Sequence, residues 1–130
     1  MSDTLTALAE HIGKKLGTKI SGSSIAYGEL TLATDAANIV DVMTFLRDDA
    51  ACQFKQLVYL AGVDYPGRAP RFEVVYNLLS LTQNQRIRLR APVEEGATVP
   101  SVTTVFRGAG WYEREAWDLF GIPFSDHPDL

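Results

Sequence analysis

A chain of 130 residues, 46% hydrophobic and 22% charged, can close one hydrophobic core and is too apolar to be disordered. Its net charge of −4 argues against a basic nucleic-acid binder, and its single cysteine, Cys52, cannot form an internal disulfide or alone hold an iron–sulfur cluster or structural zinc. No run reaches the ~18 apolar residues of a membrane span, and the first ten residues read as neither signal nor transit peptide, so the expectation is a reducing, cytoplasmic setting in which any membrane role depends on other chains.

In chain order, Leu5, Leu8, Ile12 and Leu16 recur at steps of three and four, which predicts an amphipathic helix. Ser2 or Asp3 can cap its start, Lys14 and Lys15 suit its last turn, and Gly17 suits its stop. Residues 20–27 and 29–33 alternate as strands around Gly28. Thr34 or Asp35 can cap a second helix with Ile39, Val42, Met43 and Leu46 on one face. A third strand over 54–64 closes with "DYPGRAP", whose Pro and Gly fit a turn. In "RFEVVYNLLSL", Phe72, Val74, Tyr76 and Leu78 share one face while Val75 and Leu79 occupy the other, which predicts a central strand. "RIRLR" returns antiparallel with Ile87 and Leu89 inward. Arg86, Arg88 and Arg90 form an outward row, read either as an anion or acidic-partner site or as the wet face of an edge strand. After a loop over 91–101, Ser101 or Thr103 can open a short helix through Phe106, broken by Gly108 and Gly110. A last helix runs over 111–120 and stops at Gly121. This order predicts one α+β domain over 1–130: a two-layer sandwich, mostly antiparallel, with helices on one face and a C-terminal helix.

The closing segment, "WYEREAWDLFGIPFSDHPDL", gathers acids, aromatics, an Arg and a His. On a helical wheel Tyr112, Ala116, Trp117, Leu119 and Phe120 form an apolar arc, and Arg114, Glu115 and Asp118 lie opposite. Glu113 falls inside the apolar arc, as a raised-pKa acid or as a carboxylate held by internal partners. Trp111 falls on the polar side, as a partner contact or a residue under the next loop. Asp126, His127 and Asp129 are possible metal ligands, but zinc sites want three or four ligands at defined spacing, and His11 has no partner motif. The bland reading has Asp126 and His127 bonding backbone where Pro128 turns the chain. No nucleophile elbow, phosphate loop or Cys/His signature is present. Three classes compete: a cofactor-free structural subunit, an acid–base or metal enzyme using Glu113, Asp118 and His127, and a nucleic-acid module using the Arg row.

Glu113, Arg114, Glu115, Asp118, Leu119, Phe120, Gly121, Ile122, Phe124, His127, Pro128, Asp129 and Leu130 resemble the signature segment of the thirty-kilodalton subunit of respiratory complex I (NADH:quinone oxidoreductase). Asp64, Tyr65, Pro66, Arg71, Phe72, Val75 and Tyr76 resemble the same family's central strands, and the likeness runs from about Asn38 onward. The resemblance implies a peripheral-arm subunit with no cofactor of its own, beside the forty-nine-kilodalton subunit near the quinone module. Flavin, iron–sulfur clusters and quinone would then belong to partner subunits, on the cytoplasmic side of a bacterial inner membrane. The nearest alternative is the equivalent small subunit of a membrane-bound nickel–iron hydrogenase-type complex. The family pattern continues into a basic, aromatic tail along the forty-nine-kilodalton subunit, which this sequence, ending at Leu130, lacks. Joined to the wheel, the resemblance assigns Trp111, Arg114, Glu115, Asp118, His127, Pro128 and Asp129 to a subunit interface and Glu113 to a structural buried carboxylate. No catalytic, cofactor-binding or metal residues are expected.

Overall fold

In the computed structural model, which describes residues 2–128, the first periodic run is helix α1 (Ser2–Leu16). It buries Leu5, Leu8 and Ile12. Lys14 and Lys15 occupy its last turn, where cations complement the helix dipole. Gly17 follows at φ 58°, in the left-handed region that ends helices at little cost only with glycine. The cap expected from Ser2 or Asp3 rests on side chains outside the described residues. Strands β1 (Gly22–Ala26) and β2 (Glu29–Ala33) pair antiparallel. Tyr27 and Gly28 between them both take positive φ, 52° and 72°, as a tight two-residue hairpin turn of this twist requires.

Helix α2 (Ile39–Asp48) buries Ile39, Val42, Met43 and Leu46. The cap expected from Thr34 or Asp35 does not form. A 3-10 turn, Ala36–Asn38, comes first, and Asp35 makes no side-chain capping bond. The inserted turn moves the start of α2 out of reach, and the Thr34 hydroxyl instead donates to the Lys19 carbonyl at 2.6 Å.

Strands β3 (Gln56–Asp64), β4 (Phe72–Ser80) and β5 (Gln85–Val93) form an antiparallel meander. β2 then pairs with β5 in parallel, giving the sheet order β1-β2-β5-β4-β3. β4 is therefore an interior strand, but the edge-strand reading of the Arg row is overturned, because β5 is the middle strand. The pairing that places it there joins residues more than fifty positions apart and leaves no local signal. Arg88 meets Glu29 of β2 at 3.1 Å. Arg90 grips the buried Glu73 of β4 with two bonds, 3.0 and 2.8 Å.

The core lies on one face of the sheet. Leu30, Leu32, Leu60, Val74, Tyr76, Leu78, Ile87 and Leu89 pack there beneath the apolar faces of α1 and α2. This is the α+β layering the pattern of elements predicts.

The short helix expected through Phe106 is instead a set of turns. Its hydrogen bonds stop after one cycle, with the Val105 and Phe106 N–H groups both donating to the Val102 carbonyl at 3.0 and 2.8 Å. The last helix, α3 (Ala109–Phe120), ends at Gly121, whose φ is 69° and whose N–H donates to the Trp117 carbonyl. The chain then returns. β7 (Phe124–Ser125) pairs in parallel with β6 (Val99–Pro100), so the segment after α3 lies against the loop before it.

A candidate interface groove on the C-terminal helix

α3 packs through a narrow stripe. Ala109, Glu113 and Ala116 are buried, with Tyr112 and Phe120 half-buried beside them. Steps of three and four make this one helix face, and the two alanines let it approach β3 closely. Gly62 of β3 fits the same approach, since a Cβ there would stand 2.8 Å from the Phe120 ring. The Tyr112 hydroxyl donates to the Val58 carbonyl at 3.3 Å, where β3 shifts register. The wheel is wrong about two residues. Trp117 and Leu119 are exposed, not core, because the buried stripe is narrower than the arc and both fall on its flanks.

At the centre of the stripe Glu113 has no solvent exposure. Its carboxylate accepts the Ser101 hydroxyl at 2.7 Å and the Val102 N–H at 2.8 Å. His127 Nε2 lies 3.9 Å away and 2.8 Å from the Gly110 carbonyl. Because that carbonyl can only accept, Nε2 carries a proton and donates to it. Burial pushes the Glu113 carboxyl above its ordinary pKa, and the Val102 N–H, the Ser101 hydroxyl and His127 hold the rise back. Glu113 thus joins three stretches: the end of β6, the middle of α3 and the turn after β7.

Above this knot the outer face of α3 borders an open groove of about 860 Å³. Trp111, Arg114, Glu115 and Asp118 contribute from the helix, Thr103, Thr104 and Arg107 from the preceding turns, and His127 and Pro128 from the returning strand. Trp111 is 75% exposed. Arg114 and Asp118 lie 3.9 Å apart, one turn along the helix. Six of the seven expected interface residues therefore meet in one place, and Asp129 lies outside the described residues. His127 differs from the others, since its side chain is 2% exposed and forms a wall of the groove.

The acid–base trio is not brought to one accessible point. Glu113 and His127 are buried, while Asp118 projects outward with over half its side chain exposed. Glu113, with no solvent exposure, is not open to the groove that His127 and Asp118 border.

Two further arrangements gave little signal in the sequence. The "DYPGRAP" turn is closed by Arg71, which donates two bonds to Asp64 at 2.8 and 3.0 Å. The Arg68 guanidinium stacks 3.7 Å over the Tyr65 ring. His11, which has no partner motif near it in the sequence, meets Asp49 at 2.8 Å across thirty-eight positions.

Among the described residues no helix is long and apolar enough to cross a membrane.

Residues 32–130 match the family model for the respiratory-chain NADH dehydrogenase, 30 Kd subunit. The chain is 53% identical over its whole length to the NADH-quinone oxidoreductase C subunit of Paramagnetospirillum magneticum, of which it covers 66%. It is 55% identical to the corresponding C subunits of Xanthobacter autotrophicus, covering 62%, and Caulobacter vibrioides, covering 66%. The chain thus spans just under two thirds of the length of these relatives. It is also similar to the solved trypsin-resistant fragment (1-134) of Nqo5, with a TM-score of 0.79 and 32% identity, covering 98% of this chain and 99% of that one. With the matched residues running from β2 through the groove, the chain belongs to the respiratory-chain NADH dehydrogenase 30 Kd subunit family.

Proposed function

We propose that this chain is a peripheral subunit of an NADH:quinone oxidoreductase with no redox cofactor of its own and that the α3 groove docks it on the forty-nine-kilodalton neighbour. The observation that carries this reading is Trp111, a large aromatic left three-quarters exposed on a groove lined by charges of both signs. Buried aromatic anchors ringed by polar residues are where binding energy concentrates in interfaces. Nothing in the fold needs Trp111 exposed, since the buried stripe of α3 closes without it.

The mixed charges support recognition of another protein chain. Arg107, Arg114, Glu115 and Asp118 place two cations and two anions on the same groove as Trp111, a pattern that fixes register with a complementary surface. The relatives' names make the same suggestion, as they are called subunits of an NADH-quinone oxidoreductase. In such an assembly the chain would be held by its partners on the cytoplasmic side of the inner membrane. Flavin, iron–sulfur clusters and quinone would sit on other subunits.

The test is to replace Trp111, Glu115 and Asp118 together, as Trp111→Ala, Glu115→Lys and Asp118→Lys, in the full-length protein. Exposed substitutions of this kind shift stability by only about 0.5 kcal/mol each, so the free subunit should melt almost as before. The amount of intact, quinone-reducing complex in membranes should fall. Normal assembly with lost turnover would make the groove catalytic and overturn the docking role, as would normal assembly with normal turnover.

A further inference from the structure

α1 and the turn that ends α2 bring together three side chains of different chemistry. His11, Asp49 and Cys52 each offer one donor atom, and the three atoms lie within 4.8 Å of one another. Their spread along the sequence explains why nothing in the sequence pattern showed them as a set. From this geometry we propose that His11, Asp49 and Cys52 form a binding site for a zinc-class divalent cation, with a fourth position open to water.

The turn builds half of the site. Cys52 and Gln53 both donate their N–H groups to the Asp49 carbonyl at 3.0 Å, and the Ala51 N–H donates to the Asp49 carboxylate at 3.1 Å. This winds the chain tightly and turns the side chains of Asp49 and Cys52 to one side. Two ligands separated by two residues across such a turn is the spacing many zinc sites use. His11 comes from the middle of α1, with its ring 6.1 Å from the Phe45 ring. Its Nε2 already contacts Asp49 Oδ2 at 2.8 Å.

The donor set suits the ion. Imidazole nitrogen, thiolate sulfur and carboxylate oxygen are the usual zinc ligands, at roughly 2.0–2.3 Å from the metal. Tetrahedral geometry at those lengths puts neighbouring donors about 3.3–3.7 Å apart. The present separations, from 2.8 Å to at most 4.8 Å, need donor shifts of only about 1 Å. A thiolate and a carboxylate together cancel the charge of a divalent cation. Cys52 is fully buried, while His11 and Asp49 are 32% and 18% exposed at the side chain, so the open coordination position faces water.

Binding displaces two protons from the ligand atoms. The S–H bond of Cys52 breaks, its proton passes to water, and a metal–sulfur bond forms. The Nε2 proton that His11 donates to Asp49 is exchanged through water to Nδ1, freeing the Nε2 lone pair, and Asp49 turns a carboxylate lone pair to the metal. No electron is transferred. Without metal the thiol is held protonated, pushed up to about 12 by burial and by its bond to Asp49. A cation beside it reverses that preference.

The competing view is that the three residues form only a hydrogen-bonded tie between α1 and α2. Titration of the chelator-treated, full-length protein with Zn2+ alone and, separately, Co2+ alone distinguishes the two. One equivalent of Zn2+ should bind and raise the melting temperature. Co2+ should give a near-ultraviolet sulfur-to-metal charge-transfer band. His11→Gln and Cys52→Ser should each weaken Zn2+ binding by about tenfold or more, the scale on which even residues that orient ligands act. Cys52→Ser should also abolish the band. Absence of one-equivalent Zn2+ binding would overturn the proposal, as would unchanged affinity in both variants. If a variant fails to fold, the wild-type Co2+ spectrum still decides, because cobalt bound without that band is not on Cys52.

Discussion

Glu113 is the residue on which the returning C-terminal segment turns, and its partners make its energetics calculable in sign. It accepts from Ser101 and Val102, both buried. Glu113→Ala leaves the buried Val102 N–H without its acceptor and the Ser101 hydroxyl with only Thr103 to turn to, which costs about 1–3 kcal/mol; an unchanged denaturation midpoint would show that water reaches them. The pH dependence has a definite direction. Burial raises the Glu113 carboxyl pKa in the folded chain, so the folded state holds this proton more firmly than the unfolded one. Its contribution is complete below the ordinary glutamate value of about 4.3 and is lost as pH rises through the raised folded value. Glu113→Gln cannot show that loss. The advantage of wild type over this variant should therefore shrink between about pH 4 and pH 7, with the other carboxylates cancelling in the difference. Equal gaps in melting temperature at both pH values would mean the carboxyl is not perturbed. The helical wheel sets Glu113 among apolar side chains. Its partners lie eleven and twelve positions upstream, in a loop whose path no periodicity encodes.

At the scale of elements, α3 is seated by size as much as by hydrophobicity. Ala109 and Ala116 bury against the fold, and Gly62 leaves room for Phe120 and Ile122, whose atoms stand 2.8 and 3.2 Å from where a Cβ would be. Gly62→Ala forces the ring or the helix end to move. The strain of about 1–3 kcal/mol outweighs the ~0.4–1 kcal/mol that a lost glycine returns through the unfolded chain. A lower midpoint in denaturant is expected; an equal or higher one would show that Phe120 swings aside freely. The helices α1, α2 and α3, the β1–β2 hairpin and the β3–β4–β5 meander are legible because each carries its own period and its own glycine or turn. What is illegible is whatever depends on distant pairing. The parallel partner of β5 removes the edge and gives Arg88 its ion pair with Glu29, while Arg90 pairs with Glu73 on the antiparallel neighbour β4. The apolar arc of α3 is overread because Trp117 and Leu119 look like core on a wheel that cannot show the narrowness of the contact.

For the whole molecule, the groove residues converge because β7 brings the end of the chain back to the loop before α3, placing His127 and Pro128 beside Trp111. The sequence shows the residue types, and only the fold shows that they border one surface. We propose that this surface faces the forty-nine-kilodalton neighbour in an assembled NADH:quinone oxidoreductase. Two positions separate that claim from nonspecific contact. Trp111 borders the groove, on a helix packed against β3 at one edge of the sheet, whereas the fully exposed Tyr27 sits in the hairpin at the opposite edge. The most direct measurement places a photo-crosslinking amino acid at either position in the full-length protein and irradiates membranes containing the assembled complex. A covalent adduct between position 111 and the forty-nine-kilodalton neighbour, with none to that neighbour from position 27, is the predicted result. An intact complex that yields no such adduct from position 111, or the same adduct from both positions, would contradict it.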